Sequence, residues 1–189
     1  AACRLTSEGR AVYPEIMIPI VSHVNELKVL RPRLRAVASE TRERLGVEMT
    51  YKFGTMIEVP RAALTAGEIA ENTEFFSFGS NDLTQMTYGL SRDDAGRFMS
   101  DYVRQGVFAE DPFHVLDTEG VGELLRIGAE RGRAGRPAVT LSVCGEHGGN
   151  PESIAFCRAA GIDYVSCSPF RVPVARLAAA QLAIRDKIG

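Results

Sequence analysis

An α/β fold with parallel strands is predicted, the later part of a (β/α)8 barrel carrying about five of its strand–helix units. Three observations predict it. Short apolar runs recur along the 189 residues, helical patterns separate them, and no glycine-rich phosphate turn follows the first run. The runs are 15–20 (EIMIPI), 51–57 (YKFGTMI), 75–78 (FFSF), 141–144 (LSVC) and 164–167 (YVSC). Continuous apolar or small residues suit parallel strands covered on both faces. Their alternation with helices suits βα units. An open doubly wound sheet would usually carry a glycine-rich turn after its first strand. Here Pro19-Ile20-Val21-Ser22-His23 stands in that place. A closed barrel needs eight strands and typically about 250 residues, so its opening units are expected to lie outside residues 1–189.

The intervening segments carry helix signals. Val24, Leu27, Leu30, Leu34, Val37, Thr41 and Leu45 recur every three to four residues, and Gly46 closes the run. Pro32 inside it predicts a kink or a break into two helices. Thr65-Ala66-Gly67-Glu68 has the form of a capping box. Asn150 before Pro151 predicts a helix start, and Gly161 a left-handed stop. Pro173 opens a final alanine-rich helix. The stretch 90–117 is irregular, and a long connection inside an α/β unit is more often functional than accidental.

Composition narrows the function classes. The chain is 45% hydrophobic and 24% charged with a net charge of −2, the makeup of a globular domain. That balance gives no electrostatic basis for binding nucleic acid or an anionic membrane surface. Arginines alternate with acids, as in Arg42-Glu43-Arg44, which reads as a solvated helix face. No apolar run approaches the roughly 20 residues of a membrane helix, and residues 1–5 (AACRL) form no signal-peptide core. Cys3, Cys144, Cys157 and Cys167 make no CxxC pair, so reduced thiols in a cytoplasmic compartment are expected.

Reactive residue types fall at the ends of the predicted strands. Glu58 ends the second, Ser80-Asn81-Asp82 follows the third, and Cys144-Gly145-Glu146 ends the fourth. Parallel strands of a barrel open onto one face, where active sites are built. Glu58, flanked by Ile57 and Val59, needs a counter-charge if it is buried. With Asp82 it could hold a hard divalent cation, since magnesium takes one or two protein carboxylates. Equally, Glu58 could pair with Arg61 while Asp82 caps a helix. Small residues at Gly79 and Ser80 allow backbone N–H groups to approach an anion, or simply make an ordinary turn. Cys144 is either a tunable acid/base or a structural thiol. His23, His114 and His147 have no metal-ligand spacing and suit surface or supporting roles.

Longer motifs carry a resemblance. Residues 54–60 (GTMIEVP), 75–94 (FFSFGSNDLTQMTYGLSRDD), 144–149 (CGEHGG) and the C-terminal VSCSPFRVPVARLAAAQ resemble the phosphoenolpyruvate-utilising enzymes. The likeness runs from Pro14 to about Gln181, and GEHGG with SRDD is most similar to the pyruvate phosphate dikinase branch. The resemblance implies Mg2+ held by Glu58 and Asp82. It implies a substrate carboxylate bound by Asn81 with backbone N–H groups around Gly79 and Ser80. Arg92 would face the transferring phosphoryl group, and Cys144 would move a proton at the methyl carbon of pyruvate. The partners implied are pyruvate or phosphoenolpyruvate, a phosphohistidine on another domain of the same enzyme, and a second subunit in a homodimer. That domain, the nucleotide-binding domain and the family's upstream substrate arginines are expected outside this sequence, leaving it inactive alone. A binding module that keeps the fold without catalysis is the competing reading; retention of Glu58, Asp82 and Cys144 argues against it.

Overall fold

Five strands form one parallel sheet in the computed structural model, which describes residues 1–188. They are β1 (Glu15–Ile18), β2 (Lys52–Ile57), β3 (Phe75–Gly79), β4 (Thr140–Cys144) and β5 (Tyr164–Val165). Their order in the sheet follows the chain, β1-β2-β3-β4-β5, and every neighbouring pair is parallel. The chain never doubles back to reverse the order, as a doubly wound sheet does.

Among the described residues, ten α-helices accompany the sheet. α1 (Ala2–Ser7) precedes β1, α2 (Val24–Leu45) links β1 to β2, and α3 (Pro60–Leu64) and α4 (Ala66–Ala70) link β2 to β3. Between β3 and β4 run α5 (Ser80–Tyr88), α6 (Arg92–Ala95), α7 (Met99–Arg104) and α8 (Val121–Gly135). α9 (Pro151–Ala159) joins β4 to β5, and α10 (Val172–Ile188) follows β5. The irregular stretch thus contains two short helices with a core of their own, where Ala95, Met99 and Phe113 pack with Phe98 and Phe108.

Alternation along the strands separates the sheet's two faces. Phe53, Ile57, Phe76, Phe78, Leu141 and Val143 meet Leu27 of α2, Ala62 and Ala63 of α3, Ile69 of α4, Leu125 and Ala129 of α8 and Cys157 of α9 in one core. The register sets Gly54 beside Phe75, Met56 beside Ser77, Ser77 beside Ser142 and Gly79 beside Cys144 on the other face. That face is rich in small and polar groups, and the candidate site residues continue it. α8 sits close to the sheet because glycines line its inner side. A Cβ at Gly122, Gly128 or Gly132 would lie 2.7 Å from the rings of Phe156, Phe78 and Phe76 respectively.

Several sequence signals are redirected. Pro32 does not divide its segment, and α2 runs unbroken for 22 residues. The expected box at Thr65 does not form; its hydroxyl donates instead to the Arg61 carbonyl. A box does form at α2, where the backbone N–H groups of Ser22 and His23 donate to Glu26 and the His23 ring accepts from Asn25 N–H. Asn150 caps α9 as expected, accepting from Ser153 N–H at 2.8 Å, and Gly161 takes φ 75°. No described helix is long and apolar enough to cross a membrane.

Asp117 starts α8. Burial pushes its carboxyl upward, but the N–H groups of Gly120, Val121 and Glu119 and the Tyr88 hydroxyl outweigh that and hold it below the ordinary value. A lowered folded pKa gives stability that is present above the unfolded value and lost as pH falls through the folded one. Asp117→Ala should therefore cost about 1–2 kcal/mol at neutral pH. The deficit should shrink in acid, below the usual aspartate range, as read from denaturant midpoints.

Candidate active site

The site is built where the strands end. Ile57 pairs with Phe78, and Gly79 with Cys144, so Glu58, Gly79 and Cys144 lie in one row across β2, β3 and β4. Gly79 makes the row possible. A Cβ there would meet the Glu58 carboxylate oxygen at 2.5 Å and the Met56 sulfur at 2.7 Å. Any larger residue would push Glu58 out of place.

Glu58 is buried, with 2% of its surface exposed. Its Oε1 accepts a 2.7 Å hydrogen bond from the backbone N–H of Ile20. Ile20 pays a conformational cost for that contact: its φ is 53°, left-handed, and it is the one non-glycine residue with positive φ among those described. For a β-branched residue this is a genuine outlier, worth of order 1–3 kcal/mol. The bend ends β1 two residues before the predicted limit and aims its backbone at Glu58. The Arg61 alternative is removed, because that guanidinium donates to the Ser22 carbonyl.

Asp82 lies in the first turn of α5, which begins from Gly79 without a side-chain cap, so the capping alternative is also removed. Its charge reaches Glu58. Burial first, and then the negative charge of Asp82, push the Glu58 carboxyl above its ordinary range, against the opposing Ile20 bond. Two neighbouring carboxylates with an unfavourable shared charge are what a divalent cation would relieve. No group of three or more His, Cys, Asp or Glu side chains gathers among the described residues. A magnesium ion needs no such cage, since water and substrate oxygens complete its shell. The donor set fits.

Cys144 is half-buried, and its thiol points to the Phe78 carbonyl at 3.6 Å. Burial pushes its pKa upward, a Ser77 hydrogen bond opposes this, and the charges of Glu58 and Asp82 add to the rise. The thiol is therefore the resting form at neutral pH. Its loop is tied to the start of α5. Ser80 donates from its hydroxyl to the Cys144 carbonyl at 2.7 Å, and Asn81 Oδ1 accepts from Glu146 N–H at 3.2 Å. Gly145 has φ 101°, and a Cβ there would strike the Ser80 hydroxyl at 2.7 Å. With its oxygen engaged, Asn81 has its amide NH2 left to donate to a ligand. Arg92, opening α6, pairs with Glu146 at 3.3 Å.

All six predicted site residues other than Arg92 thus meet along the ends of β2, β3 and β4, and Arg92 reaches them through Glu146. Sequence reasoning missed Ile20, and it placed Glu146 at the end of the fourth strand without a role. It placed His147 in a supporting role, and the ring is fully buried with Nε2 2.9 Å from the Pro112 carbonyl, tying the irregular stretch to the cysteine loop. Burial pushes the His147 pKa down, so the ring is neutral and Nε2 carries the donating proton.

Residues 2–184 match the family model described as PEP-utilising enzyme, PEP-binding domain. The chain is 56% identical to pyruvate, phosphate dikinase 2 of Zea mays over 184 residues, 97% of this chain and 21% of that protein. It is 58% identical to pyruvate, phosphate dikinase of Rhizobium meliloti (strain 1021) over 179 residues, 95% of this chain and 20% of that protein. It spans about a fifth of the length of these curated relatives. Among solved structures, a citrate lyase from Burkholderia xenovorans LB400 is similar in fold, with a TM-score of 0.57 at 17% identity over 87% of this chain and 48% of that one.

Proposed function

Because the chain belongs to the PEP-utilising enzyme family, matching its PEP-binding domain, we propose that it supplies the pyruvate and phosphoenolpyruvate site of a pyruvate phosphate dikinase. The row of Glu58, Gly79 and Cys144, with Asp82 beside it, carries this reading. We read residues 1–189 as the later part of a (β/α)8 barrel. Sequential parallel strands, a helix-covered face and a small, polar opposite face support it. So does an apolar groove of about 970 Å3 at the β1 edge, lined by Ile16, Ile18, Leu34 and Val37, which further barrel units would cover.

In the parent enzyme, ATP, phosphate and pyruvate would interconvert with AMP, diphosphate and phosphoenolpyruvate. This domain would serve the half-reaction between pyruvate and a phosphohistidine carried on another domain. Asn81 would bind the substrate carboxylate through its amide NH2, helped by the backbone N–H groups of Gly79 and Ser80. The Ser80 hydroxyl is committed to Cys144, so its role is to hold that loop. Cys144 would take a proton from the pyruvate methyl group as a thiolate, or return it to the same carbon as a thiol. The raised pKa keeps Cys144 as the thiol, the form that returns the proton. Arg92 would balance charge on the phosphoryl group, which needs alignment and positive charge more than covalent help. Glu58 and Asp82 would hold Mg2+, which supplies Lewis-acid stabilisation of enolate charge when bound. A homodimer in the cytoplasm completes the proposal.

The test uses the full-length enzyme containing this domain. Phosphoenolpyruvate and AMP should yield ATP and pyruvate with diphosphate and not with inorganic phosphate. Equal yield with phosphate would place it with the synthase branch of the family, and turnover without AMP would reject a dikinase.

A further inference from the structure

Glu146 touches both residues proposed to grip the substrate. Its backbone N–H donates to Asn81 Oδ1 at 3.2 Å, while its carboxylate accepts from Arg92 Nη2 at 3.3 Å. The two contacts have different characters. The backbone around Glu146 is fixed on several sides: Gly145 packs on Ser80 and Asn81, the Cys144 carbonyl accepts from Ser80, and buried His147 is tied to Pro112. The backbone of Arg92 is fixed too, its N–H donating to Gln85 Oε1 at 2.8 Å. The paired side chains, by contrast, are 45% and 47% exposed. Such a pair contributes little to stability and opens easily.

We propose that the Glu146 carboxylate is a latch on Arg92, occupying the guanidinium until a phosphoryl group displaces it. The inference rests on the reading of Arg92 as the phosphoryl-facing residue. A phosphoryl group carries more negative charge than a single carboxylate and offers three acceptor oxygens, so it wins the exchange. The displaced carboxylate has a second cation available. A pocket of about 180 Å3 beside the loop is lined by both Glu146 and Arg171. Exchange between the two arginines would let Glu146 leave the site without being stranded unpaired. The latch therefore opposes phosphorylated ligands only, and it sets how strongly the site prefers them over unphosphorylated acids. Glu146 is thus a specificity-determining residue that touches the substrate-binding arginine.

Two non-reacting probes separate the possibilities in the full-length enzyme: a phosphonate analogue of phosphoenolpyruvate that cannot transfer its group, and oxalate, which has no phosphorus. Glu146→Gln keeps the backbone N–H and the side-chain size but removes the charge. It should tighten the inhibition constant of the phosphonate roughly two- to five-fold and leave that of oxalate unchanged. Arg92→Gln should weaken the phosphonate alone, and adding Glu146→Gln to it should change nothing more, the non-additivity of a coupled pair. If Glu146→Gln weakens the phosphonate, leaves it unchanged, or shifts both probes alike while Arg92→Gln remains selective, the latch is wrong and the proposed role of Arg92 stands. If Arg92→Gln does not discriminate between the probes, that role fails and the latch with it.

Discussion

Cys144→Ala in the full-length enzyme is expected to slow exchange of the pyruvate methyl protons with solvent by about 10²–10⁴-fold, the usual contribution of a positioned acid/base. ATP-dependent phosphorylation of the histidine on its own domain should continue at the wild-type rate. The separation follows from position. Cys144 sits at the end of β4 beside the carboxylate pair, and its side chain makes only weak hydrogen bonds, to the Phe78 carbonyl at 3.6 Å and with Ser77. The loop is held by backbone atoms, since Ser80 binds the Cys144 carbonyl and not its thiol. Alanine therefore removes the proton carrier and leaves the loop in place. Methyl exchange measured by proton NMR, with radiolabel transfer from ATP measured in parallel, reads both halves. Loss of both together would make Cys144 structural.

A loss of similar size is expected from the carboxylates. Glu58→Gln and Asp82→Asn should each lower turnover with pyruvate by about 10²–10³-fold or more, the several kcal/mol that a Lewis acid contributes. Glutamine at 58 still offers an oxygen to the Ile20 N–H, so the strained end of β1 keeps its partner. The sign of the stability change then discriminates. Burial and Asp82 raise the Glu58 pKa in the fold, so its ionised form opposes folding, and stability falls as pH rises from the unfolded pKa through the folded one. At neutral pH the metal-free Glu58→Gln enzyme should unfold at or above the wild-type temperature, even though it is inactive. Near-normal turnover in either variant would end the metal assignment. A steep fall in Tm would show that Glu58 serves the fold.

The strands were legible because a parallel strand buried on both faces is a continuous apolar run, and FFSF or LSVC admits few other readings. The convergence of the site residues was legible for a related reason: parallel strands all end on one face, so Glu58, Asp82 and Cys144 had to meet if the strands paired at all. The failures are local. β5 has two residues instead of four and lies at the edge of the sheet among the described residues. α6 and α7 have four and six residues, too short to display helical periodicity. The box at His23 was hidden because histidine is not a usual capping side chain. Ile20 left no mark as a site residue, since it acts through a backbone N–H on a side chain 38 positions away, and the contact of Glu146 N–H with Asn81 spans 65 positions.

The glycines of α8 carry a consequence for how the sequence can drift. Of the four, at 122, 128, 132 and 135, the two interior ones, Gly128 and Gly132, weaken the helix by about 0.5–1 kcal/mol each relative to alanine. The helix is therefore maintained by the sheet and α9, with ring edges of Phe78, Phe76 and Phe156 seated where Cβ atoms would be. Each ring and its notch form a single heritable unit. Enlarging Gly128 without shrinking Phe78 closes the space, and shrinking Phe78 alone opens a void, so neither step is neutral by itself. Divergence at these pairs has to be concerted. Gly96, with nothing near its missing Cβ and an ordinary backbone angle, can drift alone.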